Sequence, residues 1–380
     1  MKLIKIFVLI TIVTLVLSVR VNGQDVNEQI HSSLEDELTI FENSLPDYVK
    51  DYLPSELFNG DFSTMLDNSI NEKQFFDYIL DYLFFGIGEV LKSFASILAL
   101  LIISSIFTIL KSNLEDTSVN RAFSVCSSLC MTATVFNIVS SLAGYTSSYM
   151  RVLCSVMTAF SPLMTSIYIM NGNLSSAALS NGTIILFTTL IEGFLLAFML
   201  PLVKMCIVFS SVKALGNEFD FSGISKTVRS TFTSVTIFIM SIFMFVFSYK
   251  SVISQSSDTL SLKTARFAIS SFVPMVGASV NEALRTLSSS VQMIKASCGA
   301  VALIAIALII LPIIIYLFLN KLSFNLLSAV SSVLGCQREA EILSEADSTC
   351  VFMLTLVCSA SVLFVIALTV FIKSSQGALI

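Results

Sequence analysis

Apolar residues are concentrated in blocks of membrane-spanning length, and polar residues fall mostly in short segments between them. We predict spanning helices at residues 83–110, 122–147, 149–170, 177–212, 230–253, 296–319 and 349–372. A spanning helix needs about 20 predominantly apolar residues, and each of these blocks is long enough. The pattern therefore predicts an all-α, polytopic integral membrane protein with about seven transmembrane helices.

One apolar stretch, residues 267–280, is too short to cross a bilayer. Charged residues lie on both sides of it: Lys263 and Arg266 before, Glu282 and Arg285 after. Pro274 and Gly277 interrupt it, and proline cannot donate the backbone hydrogen bond that an uninterrupted helix requires. We expect a broken re-entrant or interfacial helix here, and an ordinary amphipathic helix on the membrane surface remains the alternative.

The chain begins with a predicted signal peptide at residues 1–23. Lys2 and Lys5 precede an apolar run, and small residues near Gly23 provide an imperfect cleavage site. An uncleaved anchor is the alternative, and either form would export the segment that follows.

Residues 24–82 form an acidic segment with a net charge of −12. Leu34, Leu38, Phe41 and Leu45 recur at helical spacing within it. We predict an extracytoplasmic helical region that docks on the membrane domain or on a partner, because so short a segment makes a marginal core. The polytopic domain then covers 83–373, and 374–380 is a short tail.

Seven spans after an exported N-terminus would leave the C-terminus in the cytoplasm. That arrangement places Lys213, Lys226 and Arg229 outside, against the usual bias for basic residues in cytoplasmic loops. Either one block between 149 and 212 does not cross, or the broken stretch crosses fully.

The second and third predicted spans are rich in Ser, Thr, Cys and Ala, with a predicted tight turn near Gly144 and Tyr145. Small residues allow close helix approach, so we expect these helices in the interior of the bundle. Cys126 and Cys130, four residues apart, are predicted to be packing residues rather than metal ligands.

Composition agrees with a membrane protein, since 55% of the residues are hydrophobic and only 12% are charged. Soluble domains carry about twice that share of charge. No catalytic motif is found, and the single histidine, His31, lies in the acidic segment. We therefore predict no enzymatic activity, no metal and no cofactor. The acidic segment argues against nucleic acid as a partner.

Ionisable residues within spans are functional candidates because their burial in lipid is costly. Glu192 is the clearest, either lining a polar path or pairing with a base such as Lys204. The candidates for a polar path or a structural break are Glu192, Arg266, Pro274, Gly277, Glu282 and Arg285. The alternatives are an ordinary pair between Glu282 and Arg285 and a static kink at Pro274.

Residues 262–267 read Leu-Lys-Thr-Ala-Arg-Phe and residues 272–277 read Phe-Val-Pro-Met-Val-Gly, with Ile224-Ser-Lys226 before the preceding span. These sequence motifs, together with an export signal and a polytopic domain, resemble those of the stage III sporulation protein AE family of endospore-forming Firmicutes. The resemblance covers roughly residues 83–373, and the acidic segment matches only in kind.

That resemblance implies a place in the mother-cell membrane facing the forespore, within a multiprotein channel. Its partners would be the lipid bilayer and other channel subunits, including an ATPase and ring-forming proteins, and self-association stays open. The implied role is a membrane platform or permease-like subunit required for endospore development. A secondary transporter of a small solute and a non-conducting assembly scaffold are the alternatives.

Overall fold

The computed structural model describes residues 27–53, 72–111, 117–215, 222–272 and 277–373. These residues are almost entirely helical, and no strand occurs among them. The helices in chain order are α1 (Asn27–Ser44), α2 (Asp47–Lys50), α3 (Glu72–Lys111), α4 (Thr117–Met170), α5 (Leu174–Leu190), a π-helical segment (Ile191–Leu196), α6 (Ala197–Leu215), α7 (Ser222–Phe272), α8 (Gly277–Val333) and α9 (Gln337–Lys373). The predicted all-α class is confirmed.

Six helical stretches in the described part of the chain are long and apolar enough to cross a membrane. They are Leu80–Ile109, Ala122–Met170, Leu174–Phe209, Gly223–Tyr249, Ser289–Val333 and Gln337–Lys373. In lipid, a helix satisfies all of its backbone hydrogen bonds internally, which is why apolar blocks of this length form helices. The multi-pass prediction is confirmed, with one fewer long stretch than the seven blocks read from the sequence.

The difference arises in α4, which runs for 54 residues without a turn. The predicted turn near Gly144 and Tyr145 is wrong, because both residues lie inside this helix. One glycine in a helix costs only about 1 kcal/mol relative to alanine, which packing on neighbouring helices easily offsets. At about 1.5 Å per residue, α4 is roughly 80 Å long.

Two further long helical stretches follow α4. The predicted block 177–212 is one continuous helical path in which the π-helical segment joins α5 to α6. Helix α8 extends well beyond the predicted span 296–319, since it runs from Gly277 to Val333. Pro312 lies inside α8 without ending it, as neighbouring helices can satisfy a freed carbonyl.

Helices α8 and α9 form an antiparallel hairpin around Gly335. Gly335 has a φ of +76°, a left-handed conformation that glycine adopts without strain. The amide of Cys336 donates to the carbonyl of Ser331, which closes the end of α8 as in a Schellman motif. The hairpin packs against α4, with Phe160 of α4 and Phe371 of α9 in edge-to-face contact.

Helix α1 packs on the end of α4 that also lies beside the end of α9. Leu34, Leu38 and Phe41 are buried, and the rings of Phe41 and Phe160 are 5.1 Å apart. The Ser166 hydroxyl donates to the Glu37 carboxylate at 2.9 Å. The predicted helical spacing is confirmed, while the division into an extracytoplasmic region and a membrane domain stays a prediction.

This packing brings the two described ends of the chain together. Phe160 touches both Phe41 near the start of the described chain and Phe371 near its end. The two described ends therefore lie at the same end of the bundle. The number of crossings and the orientation in a membrane stay predictions.

The predicted broken stretch is divided between two helices. Helix α7 ends at Phe272 and α8 begins at Gly277, and Pro274 lies outside the described residues. Arg266, Glu282 and Arg285 are helical in backbone, but their side chains are outside the described part. The predicted signal peptide at 1–23 also lies outside the described residues. The re-entrant or interfacial path and the candidate role of these residues stay predictions.

Candidate functional site

The exposed faces of the spanning helices differ sharply in chemistry. On α7 the exposed side chains include Ile237, Phe238, Ile242 and Phe245, and Phe238 and Phe245 are 66% and 70% exposed. Because lipid tails are apolar, such a face is suited to lie in the bilayer. These residues lie within the predicted span 230–253.

Helix α4 instead exposes a stripe of small and polar residues, which we call the α4 polar face. Its members are Asn137, Ser141, Gly144, Ser148, Arg151, Ser155 and Thr158, and all of them are exposed. Successive members are three or four residues apart, a spacing that keeps them on one side of a helix. Between residues 130 and 168 of α4, Tyr145 is the one exposed large apolar side chain.

The part of the α4 polar face from Ser148 to Thr158 lies at the depth of an apolar segment of α8. The Nζ of Lys295 lies over the Tyr168 ring, 4.6 Å from its centroid. The rings of Tyr145 and Tyr316 are 6.0 Å apart. Residues 145–168 of α4 are therefore level with 295–316 of α8, and no charged residue occurs between Lys295 and Tyr316.

The opposite side of α4 is buried in the bundle. Val139, Leu142, Leu153 and Met157 are all at most 1% exposed. The expectation that this small-residue region packs in the interior is therefore right for one face and wrong for the other. Burial of the apolar side fixes the rotation of the helix, and that rotation turns the polar side outward.

Cys126 and Cys130 also lie on an exposed part of α4. The prediction that they are packing residues is therefore wrong within this chain. Among the described residues, no group of three or more His, Cys, Asp and Glu side chains could hold a metal ion.

Arg151 is the charged member of the α4 polar face, and the sequence analysis did not single it out. The predicted turn at residues 144–145 placed Arg151 close to the start of the predicted span 149–170. In the structure it lies well inside α4, and no ion pair among the described residues includes it. The three-and-four spacing of small polar residues was the sequence signal that could have identified this face.

Glu192, the clearest sequence candidate, lies on the π-helical segment and is exposed. It does not pair with Lys204, which is exposed on α6, so that predicted alternative is wrong for this structure. Single-turn π segments within α-helices occur frequently at functional sites. A wide shallow groove runs beside Glu192, and it is lined by Gly182, Ile185, Leu186, Thr189, Leu190 and Gly193.

The other end of the bundle holds a set of polar contacts that join helices. The Arg229 guanidinium and the Ser225 hydroxyl both donate to the Glu345 carboxylate at 2.6 Å, tying α7 to α9. Lys321 and Asp347 lie 3.7 Å apart across the α8–α9 hairpin. These residues lie just outside the predicted spans 230–253, 296–319 and 349–372, so these pairs were not predicted.

Glu339 forms a second polar junction at that end. The hydroxyls of Ser104 and Ser127 both donate to its carboxylate at 3.0 Å, so α3, α4 and α9 meet there. A cavity of about 210 Å³ adjoins these three residues. Buried polar groups with satisfied hydrogen bonds fix the relative positions of helices, and we assign these contacts a structural role.

Comparison with known proteins identifies the family. The family model for stage III sporulation protein AE matches residues 56–375. A protein named stage III sporulation protein AE from Bacillus subtilis (strain 168) is 22% identical over 351 residues, covering 92% of this chain and 86% of that protein. No solved structure matches this chain. The chain belongs to the stage III sporulation protein AE family.

Proposed function

We propose that this protein is a non-enzymatic membrane platform of the channel complex that joins mother cell and forespore during endospore development. The α4 polar face carries the proposal, because it lies at the depth of an apolar zone and yet exposes Ser, Asn and Arg. Facing lipid with an arginine is costly, so this face requires protein or water as its neighbour. Small residues favour protein, since they let another helix approach closely.

The placement of the chain follows from the same proposal. An exported start puts residues 27–53 between the two membranes, and the end of α9 lies at the same end of the bundle. The helix ends that carry Lys213 on α6 and Lys226 and Arg229 on α7 then face the cytoplasm, which removes the conflict with the basic-residue bias. By resemblance, an ATPase and ring-forming proteins are the partners to be bound on these two sides.

Photo-crosslinking in the spore-forming host tests the platform directly. A photoreactive amino acid placed at Ser148 on α4 is expected to give adducts with protein in the assembled complex. Ile242, exposed on α7, is the matched control and is expected to react with lipid alone. If both positions give only lipid adducts, the platform proposal is wrong.

A secondary transporter is the second candidate, and the unpaired charge of Arg151 favours it. In that case the α4 polar face would line water rather than protein. A cysteine at Ser148 would then react with a membrane-impermeant thiol reagent in the assembled complex and give no protein adduct. Protection from that reagent together with a protein adduct would favour the platform.

A further inference from the structure

Arg151 and Glu192 are opposite charges at the same depth of the bundle. The Ser161 hydroxyl donates to the Asn181 side-chain oxygen at 2.7 Å, which sets the register between α4 and α5. Counting ten residues away from the turn that joins the two helices leads from Ser161 to Arg151 on α4. The same count leads from Asn181 to Ile191, which is next to Glu192. Since these helices rise by similar amounts per residue, the two charges are level.

Both charges are exposed, and neither belongs to an ion pair among the described residues. At this depth each charge would face lipid if the protein were alone, which is costly for both. Charged residues within membranes pair with one another or face a protein or water-filled interior. The chain therefore carries two complementary charges that it does not neutralise internally.

Small residues lie near both charges. Ser148 and Ser155 lie one turn to either side of Arg151 on the α4 polar face. Gly182, Thr189 and Gly193 line the groove beside Glu192, together with the aliphatic side chains of Ile185, Leu186 and Leu190. Interfaces between membrane helices are enriched in Gly, Ser and Thr because small side chains let backbones approach closely. Each charge can thus be reached by a neighbouring helix.

We propose that two copies of this chain associate side by side in the membrane, with Arg151 of one copy paired to Glu192 of the other. A second copy in the same membrane has the same orientation, so its Glu192 lies at the depth of Arg151. The pair satisfies both charges with one contact, and the small residues around each charge admit the neighbouring helix. This inference rests on the proposed function, since it names a second copy as one protein that covers the α4 polar face.

Disulfide crosslinking between two tagged forms of the full chain tests the contact while leaving both charges in place. In both forms the exposed cysteines Cys126, Cys130 and Cys358 are replaced by serine. One form carries Ser155→Cys and the other carries Thr189→Cys, and both are expressed together in the spore-forming host. We expect an oxidised product that contains both tags.

The matched control replaces the second form with Ile242→Cys, an exposed α7 position, and is expected to give no product with both tags. Arg151→Glu in both forms should lower the yield of the crosslinked pair roughly tenfold or more, because like charges then meet. Adding Glu192→Arg to both forms should restore the yield.

Two results would overturn the copy-to-copy contact. One is that a third form carrying both Ser155→Cys and Thr189→Cys crosslinks within the chain, while the two tagged forms together give no product that contains both tags. The other is the absence of a two-tag product while both forms are inserted and the Ser148 photoadduct with protein still forms. In the second case another protein covers the α4 polar face, and the platform function stands without the self-contact.

Discussion

Helices α4 and α7 have spanning segments of similar depth, yet they expose opposite chemistry. Between residues 235 and 249, α7 exposes mainly Val, Ile, Phe and Tyr side chains, with Ser241 and Ser248 among them. Between residues 137 and 158, α4 exposes Asn, Ser, Gly, Arg and Thr apart from Tyr145. The comparison indicates which side of the bundle faces lipid and which side requires another neighbour.

The largest expected effect comes from filling the α4 polar face. Ser148→Leu combined with Ser155→Leu should abolish heat-resistant spore formation, because the added bulk keeps a neighbouring helix away. The matched α7 change, Ile242→Phe, adds bulk to the lipid side and should leave spore formation unchanged. Spore counts and immunoblots of inserted protein measure both. Normal sporulation with the α4 double variant would show that the α4 polar face, like the exposed face of α7, does not need a neighbouring helix.

The second effect concerns the buried side of α7, where Arg229 pairs with Glu345. Arg229→Ala should destabilise the chain by about 3–5 kcal/mol, because Glu345 is left without its main charged partner. Thermal unfolding in detergent measures this loss.

The more exposed pair of Lys321 and Asp347 provides the control for Arg229. Lys321→Ala should cost about 1 kcal/mol or less, since partly exposed pairs contribute little. Equal losses from the two substitutions would show that burial does not set the strength of these contacts.

Alanine substitutions at two glycines distinguish a crowded helix contact from an open surface, with a smaller expected loss of stability than Arg229→Ala. A Cβ at Gly299 would lie close to the side chain of Ile372, so Gly299→Ala should destabilise by about 1–3 kcal/mol. A Cβ at Gly144 on the α4 polar face meets nothing within 4 Å, so Gly144→Ala should leave the isolated chain intact. Thermal unfolding in detergent compares the two.

A bulkier side chain at Gly144 should affect the assembled complex but not the stability of the isolated chain. Gly144→Leu should leave unfolding of the purified chain almost unchanged, but should reduce spore formation if another helix covers this face. Loss of stability in the purified chain itself would show that the face is already packed internally.

The smallest expected effect is a pH dependence of the region next to α1. Burial, and secondarily the nearby Tyr149 and Tyr82, raise the pKa of Tyr48 above its ordinary value of 10.0. Because the folded state holds this proton more tightly, its contribution is complete below about pH 10 and is lost as pH rises further. The protection of the α1 amides against hydrogen exchange, relative to the base-catalysed rate of the unfolded chain, should therefore fall in alkali, and less so in Tyr48→Phe. If the protection of α1 depends on pH identically in the wild type and in Tyr48→Phe, Tyr48 does not control the packing of α1 on α4.

The hydropathy pattern determined the fold class, because bilayer thickness sets the length of an apolar block and lipid forces it to be helical. The helical spacing of Leu34, Leu38 and Phe41 likewise determined which side of α1 is buried. The sequence motifs around Lys263 and Pro274 indicated the family, which the match of the family model over residues 56–375 confirms.

Only the tertiary structure decided that α4 is one helix, since the weak penalty of Gly144 had to be weighed against packing along its whole length. It also decided that both described chain ends lie at one end of the bundle, through the contacts of Phe160 with Phe41 and Phe371. The rotation of α4 depends on which neighbours bury Val139 and Leu153. That long-range choice, rather than local sequence, turned Arg151 and the small polar residues toward the outside.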